Sequence, residues 1–295
     1  MDRITLRACA KVNLTLDVLG RRPDGYHLLD SVMQSVSLTD TITLRKRPQG
    51  ISILSSRADV PTDERNTCWR AFNAFAGYVG LEGGVEISLS KSIPLAAGLG
   101  GASADAAAVL HGLNRLYRAG LSLAELQEIG LQVGADVPFC LMGGTCLVQG
   151  IGEAVTPLPG FPRASMVVVK PAANVLTAEV YRRLDVSAHG SSHTARLRQL
   201  LREGRGLPEL AGALGNALET VTEQLVPEVA VWKERLLAAG AHGALMSGSG
   251  PSVIGLFSSD VQAKSFQGRF AGEAEVFAVE LSGVGVQEID GGDVS

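Results

Sequence analysis

The sequence predicts an α+β fold in two domains, on three observations. Ile4 to Val18 alternates between two sets of residues without a break, the period-two mark of a long strand or of two strands joined at a bend. Residues 85–117 run from a second alternating segment through a glycine-rich loop into an alanine-rich helical repeat. The stretch TPLPGFPR, residues 156–163, then interrupts the chain with three prolines and a glycine, as a connection between domains does. With 295 residues, 46% hydrophobic and 19% charged, the chain suffices for one large domain or two ordinary ones and can bury a sizeable core.

The first alternation puts Ile4, Leu6, Ala8, Ala10, Val12, Leu14, Leu16 and Val18 on one face. Thr5, Arg7, Cys9, Lys11, Asn13, Thr15 and Asp17 take the other, so Lys11 and Asn13 sit side by side away from the core. Pro23-Asp24-Gly25 is a turn. Residues 36–44 and 51–54 read as strands, and residues 67–79 as a helix ended by Gly80. Val85, Ile87 and Leu89 alternate into the glycine loop. Beyond it, Ala106, Val109, Leu110, Leu113, Leu116 and Tyr117 recur at helical spacing, with Gly120 as the stop. Residues 123–131 form a short helix, and GADVPFC follows with a helix-breaking Pro138. MVVVKP is a buried strand, and residues 187–206 are a polar, basic, exposed connection with a helical part. Residues 226–239 are an amphipathic helix with Trp232 in the core, running into a second glycine stretch, GALMSGSGPSVIGLF.

A net charge of −4 gives no bulk attraction to nucleic acid or to an anionic membrane. An anionic substrate has to be held by local groups. Cys9, Cys68, Cys140 and Cys146 form no CxxC pair and lie near no histidine at metal-ligand spacing, which argues against zinc and fits core thiols in a reducing cytosol. The first residues lack a signal-peptide layout, and no apolar run is long enough to span a bilayer. The expectation is a cytoplasmic protein.

The loop itself is PLAAGLGGASA, comprising Pro94, Leu95, Ala96, Ala97, Gly98, Leu99, Gly100, Gly101, Ala102, Ser103 and Ala104. Strand, glycine loop and helix form a layout that binds phosphate. Glycines let N–H groups approach an anion with no Cβ in the way, and the helix start adds partial positive charge. No lysine follows Gly100 or Gly101, so a Walker A loop is excluded, and Ser103 stands where a dinucleotide fingerprint needs its third glycine. A tight turn that binds nothing stays open. Asp105, in the helix just after the loop, would repel a phosphate unless it points away or meets a metal ion; otherwise it serves the helix dipole. Ser103 can touch phosphate, but helix capping is the commoner role of a serine there.

PxxxGLGGxSxxAAA resembles the ATP motif of the GHMP kinases, the superfamily of galactokinase, homoserine kinase and mevalonate kinase. AKVNLTLDVLGRRPDGYHLLDSVMQSVSLTDTI, the loop, GADVPFC and MSGSGPSVIGLF occur in the order of one of its branches and span Ala10 to Phe257. That branch acts in non-mevalonate isoprenoid synthesis. AKVNL with DGYH is more specific than the loop. Ala96, Ala97 and Ala102 depart from it, standing where relatives often carry glycine.

The resemblance implies a ribosomal protein S5 domain 2-like N-terminal domain, residues 1–158, which binds ATP. It implies an α/β C-terminal domain, residues 159–295, whose last strand is free to return to the first domain, with the active site in the cleft between them. The implied reaction moves the γ-phosphoryl of ATP, with Mg2+, onto a hydroxyl of a small cytidyl-containing substrate. Lys11 and Asp136 match the catalytic pair, Asn13 lines the substrate site, and Tyr26 and His27 bind the cytosine end. No nucleic acid, membrane or obligate partner is implied, and the chain is expected to be a monomer or weak homodimer; metal ligands are not legible.

From the residues alone, Asp136 can serve as the base for the hydroxyl proton or as a helix cap, and Lys11 as a phosphoryl-facing cation or a solvated charge. A Tyr-His pair after a turn can hold a base or cover a loop. His111 reads as structural. Another GHMP kinase of the homoserine or mevalonate type, or a nucleotide-binding module without turnover, remain the alternatives.

Overall fold

The computed structural model describes residues 1–185 and 192–289. The long alternation is a single strand, β1 (Arg3–Arg21), which pairs antiparallel with β2 (His27–Arg47). The residues between them, including the predicted Pro-Asp-Gly turn, close this hairpin. The register shifts at three places, one of them between Asn13 and Thr15. Such a bulge adds a residue on one side and re-aims the side chains beside it.

β3 (Gly50–Ser55) pairs parallel with β4 (Gly84–Ser90), and β4 returns antiparallel to β2. Four helices pack in this half of the chain. They are α1 (Thr67–Val79), α2 (Gly101–Tyr117), α3 (Leu123–Val133) and α4 (Val137–Met142). α1 has the predicted bounds because its ends are marked locally. Asn66 caps it by accepting from the Cys68 N–H at 2.8 Å, and Gly80 takes the left-handed conformation at its end. α3 carries a Ser122–Glu125 capping box.

Two predicted stops fall elsewhere. α2 ends before Gly120, with Arg118 in the left-handed region at φ 54°. Pro138 does not break a helix but stands in the first turn of α4, where the missing N–H has no partner to lose.

β5 (Thr145–Gly150) pairs with β2 and with β6 (Ala154–Pro157). The later half contains β7 (Ser165–Lys170), α5 (Thr177–Arg183), α6 (His193–Arg202), α7 (Leu207–Ala211) and β8 (Gly215–Asn216). After them come α8 (Glu219–Leu225), α9 (Glu228–Ala238), β9 (Gly243–Met246), β10 (Val253–Phe257), α10 (Asp260–Phe270), β11 (Glu275–Ser282) and β12 (Val286–Ile289). The strand order β12-β1-β2-β11-β7-β10-β9 runs through both halves, and β12 pairs antiparallel with β1.

Two apolar clusters support these layers. The larger joins β1, β2 and β4 to α1–α4, with Phe75, Phe139 and Leu110 fully buried. The smaller contains Trp232, which meets Phe266 and Phe270 edge-on.

The predicted outer face of β1 is not exposed. Lys11, Asn13 and Thr15 are buried, because the 246–252 turn and α6 lie over them. α6 is likewise more than a connection. Thr194 and Leu197 are buried, and Asp17 accepts from the N–H groups of His193 and Thr194 at the helix start. Of the predicted 187–206 connection, residues 187–191 lie outside the described residues.

Candidate active site

The centre of the site is built from three distant segments. Lys11 Nζ donates to Asn13 Oδ1 at 2.8 Å and lies 3.5 Å from Asp136 Oδ2. Asn13 is held in turn: its Nδ2 donates to Ser31 Oγ at 2.8 Å, and its backbone N–H to Ser247 Oγ at 3.2 Å. Ser31 Oγ donates to the Thr15 carbonyl, so its oxygen is left to accept from Asn13. That fixes the amide with its oxygen toward Lys11. Asp136 stands at the cap position of α4, yet its carboxylate makes no capping bond, and its side chain is 32% exposed toward the cavity. The helix-cap alternative for Asp136 is thereby removed, as is the solvated-charge alternative for Lys11, which is 5% exposed.

The two glycine stretches meet over this centre. Lys11 N–H donates to the Leu99 carbonyl at 2.9 Å, and Ser247 Oγ donates to the Gly98 carbonyl at 3.3 Å. Gly98 (φ 74°) and Gly100 (φ 69°) are left-handed, and close packing excludes a side chain as well. A Cβ on Gly98 would stand 2.5 Å from the Ser247 carbonyl oxygen; one on Gly100 would stand 2.7 Å from Lys11 Cγ.

Within the loop, Gly98, Gly100 and Ser103 line the cavity. Pro94, Ala97, Leu99 and Ala104 are buried beneath it, Leu95 and Gly101 are half-buried, and Ala96 and Ala102 are exposed. Ala96 adopts φ 50°, the conformation that glycine would take without strain. Ser103 does not cap α2, since the helix already begins at Gly101 and Gly100 holds the cap position. Asp105 points away from the cavity into a buried contact with Lys91.

The cavity has a volume of about 970 Å³. From Lys11 and Asp136 it extends to the β1–β2 hairpin tip and to α5, and its wall there includes Arg21, Tyr26, His27, Tyr181 and Arg182. The His27 and Tyr181 rings lie 4.8 Å apart between centroids, 30° from parallel. Burial, and next the Arg21 guanidinium, hold the His27 imidazole below its ordinary pKa. Burial pushes the Tyr181 phenol well above its own, helped by the Asp136 charge, so it is a neutral ring. Tyr26 is 60% exposed at the tip.

Sequence reasoning missed Tyr181, Ser31 and Arg182. TAEVYRR carries no motif, and only the fold brings its tyrosine to His27. Among the described residues no group of three His, Cys, Asp or Glu side chains could hold a metal ion. No helix among them is long and apolar enough to cross a membrane. All four cysteines are buried free thiols.

Known proteins resemble this chain in sequence and fold. The GHMP kinases N terminal domain family matches residues 66–144, and the GHMP kinases C terminal family matches residues 195–274. A 4-diphosphocytidyl-2-C-methyl-D-erythritol kinase of Alkaliphilus metalliredigens is 45% identical over 267 residues, covering 90% of this chain and 91% of the relative. The enzyme of the same name in Geobacter metallireducens is 44% identical and covers 95% and 99%. A crystal structure of a 4-(cytidine 5'-diphospho)-2C-methyl-D-erythritol kinase superposes with a TM-score of 0.81 at 34% identity, over 94% of this chain and 99% of that one. A homoserine kinase from Cytophaga hutchinsonii reaches the same TM-score at 23% identity, over 98% of both chains, which is a likeness of fold.

Proposed function

The chain belongs to the GHMP kinases and, within them, to the 4-diphosphocytidyl-2-C-methyl-D-erythritol kinases; from that premise we propose how its cleft carries out the reaction. The enzyme transfers the γ-phosphoryl of ATP to the 2-hydroxyl of 4-diphosphocytidyl-2-C-methyl-D-erythritol. The products are the 2-phosphate and ADP, in non-mevalonate isoprenoid precursor synthesis. The observation that carries the proposal is the Lys11–Asp136 contact directly under the junction of the two glycine turns.

ATP lies on Pro94–Ala104 with its phosphates over Gly98 and Gly100. Mg2+, for which the described residues offer no three-ligand cluster, would be carried in by the ATP phosphates and would neutralise their charge. The acceptor hydroxyl sits between Lys11 and Asp136. Its oxygen forms the new bond to the γ-phosphorus while the bond to the β-phosphate oxygen breaks and ADP leaves. The Asp136 carboxylate takes the hydroxyl proton, and the Lys11 ammonium meets charge on the phosphoryl oxygens. Asn13 keeps that ammonium in place.

The far end of the cavity receives the cytidine portion. His27 and Tyr181, with Tyr26 at the rim, offer flat neutral surfaces and ring nitrogens to a base. Arg21 and Arg182 both line the cavity and supply the local positive charge that a diphosphate needs in an acidic protein. We place the domain division near residue 158, the protein in the cytoplasm, and its working form as a monomer or weak homodimer.

ADP release measured with the cytidyl acceptor supplied and omitted tests the reaction. Release is expected only with the acceptor. Equal release with homoserine or mevalonate in its place would move the chain to another branch of the superfamily.

A further inference from the structure

The glycine loop is suspended between two stems, and a buried group of three ionisable residues joins them. Lys91 follows β4 and leads into the loop, while Asp105 lies on α2, the helix that leaves it. Lys91 Nζ donates to Asp105 Oδ2 and to Asp40 Oδ2. Asp40, on β2, accepts through its other oxygen from the backbone N–H groups of Ser92 at 2.6 Å and Ile93 at 2.9 Å, the two residues before Pro94. All three side chains are at most 5% exposed, and none lines the cavity. The phosphoryl-transfer steps use none of them.

Taking three ionisable groups out of water is costly, and apolar residues of similar size often stabilise as well. A cluster in this position therefore points to a geometric use. It ties the approach to the loop, its exit helix and the central strand β2 to one ammonium. Beside it, Thr67 Oγ1 on α1 donates to the Ala102 carbonyl at 2.7 Å, bracing the same helix start.

The cluster also avoids opposing an anion. Burial and the Asp40 charge raise the Asp105 carboxyl to about 8 in spite of Lys91, so at neutral pH it holds a proton. Its Oδ1 is buried without a hydrogen-bond partner, a place that a neutral carboxyl tolerates better than a carboxylate. The Cys68 thiol of α1 and the Cys140 thiol of α4 lie within its electrostatic reach, and burial pushes both up, so they bring no charge. A protonated Asp105 adds no negative charge beneath the helix start.

We propose that Lys91, Asp40 and Asp105 are positioning residues for the nucleotide, clamping the two stems of the glycine loop so that its N–H groups keep their aim at the phosphates. This rests on the reading of the loop as the ATP site. Three variants test it at pH 7: Lys91→Met, Asp105→Leu and Asp105→Asn, each with kcat, KM for ATP, KM for the cytidyl acceptor and thermal unfolding measured. Lys91→Met and Asp105→Leu should raise KM for ATP about tenfold, a loss typical of a displaced binding group, and leave KM for the acceptor within about twofold. Asp105→Asn keeps the shape and the neutral charge and should restore KM for ATP to near the parent value.

If Lys91→Met fails to fold, Asp105→Leu and Asp105→Asn still decide. An unchanged KM for ATP in Asp105→Leu, or an equal rise in both KM values, overturns the clamp. Ala102→Glu separates this from failure of the ATP assignment. Its charge lies in the first turn of α2, where it suits the helix dipole but opposes phosphate. If Ala102→Glu raises KM for ATP and Asp105→Leu does not, only the clamp is wrong. If neither does, the loop is not the nucleotide site.

Discussion

Lys11 Nζ lies 3.5 Å from Asp136 Oδ2, although the lysine stands on the first strand and the aspartate at the start of α4. The lysine is buried and the aspartate is open to the cavity, so the pair presents one ammonium and one carboxylate to the same small volume. That is the arrangement in which one group can take a hydroxyl proton while the other meets developing phosphoryl charge.

Lys11→Ala and Asp136→Asn should each lower kcat by about 10²–10⁴-fold, the range for loss of a positioned acid–base or electrostatic group. Circular dichroism should stay close to that of the parent. Both residues act on the same transfer, so the double variant should lose far less than the product of the two single losses. Full activity in either single variant would remove the pair from the chemistry.

Gly100→Ala probes the junction of loop and lysine. Its φ of 69° disfavours any side chain, and the added methyl would press on Lys11 Cγ at 2.7 Å. The left-handed conformation alone costs about 1–2 kcal/mol. Thermal unfolding should report that loss, and kcat should fall about tenfold or more as Lys11 is displaced. A variant with unchanged kcat would show that the lysine can yield without consequence.

β1 and α1 were legible because their signals are local: an unbroken period of two, and a cap at each end of a helix. The pairing of Lys11 and Asn13 on one face also followed from that period, but their burial did not. The cover comes from the 246–252 turn and from α6, far along the chain. Pro138 misled because the same ring that breaks a helix interior suits a helix start. Tyr181 and the Lys91 cluster were invisible for another reason: each acquires its role only when separate segments meet.

His27 gives a pH dependence with a definite sign. Its imidazole holds a proton less readily in the fold than in the unfolded chain, through burial and the nearby Arg21. The neutral ring is therefore the favoured native form. The contribution to stability is present above the ordinary histidine pKa of 6.5 and is lost as pH falls from there toward the lower native value. If cytosine binding uses the neutral ring, KM for the acceptor should be flat at neutral pH and above and rise only as pH falls below 6.5 toward the lowered native value. His27→Gln should remove that acid-side rise while leaving KM for ATP unaltered. An acid-side rise of the same size in His27→Gln would assign it to another group.

Tyr181 supplies the sharpest test of the cytidine end. Its ring is half-buried and packs beside His27, and it lines the cavity on α5 rather than on the glycine loop. A base resting on that surface gains from the ring face and not from the phenol oxygen, so the two substitutions should part. Tyr181→Phe keeps the face and should hold KM for the acceptor within about twofold, whereas Tyr181→Ala should raise it about 10–100-fold, matching the 1–3 kcal/mol of a base–aromatic contact. KM for ATP should not move in either, because Tyr181 is not part of the glycine loop assigned to the nucleotide. Steady-state kinetics with each substrate varied in turn checks this. Equal losses in Tyr181→Phe and Tyr181→Ala would mean that the hydroxyl carries the contact, and parallel losses for both substrates would mean that the ring only supports the fold.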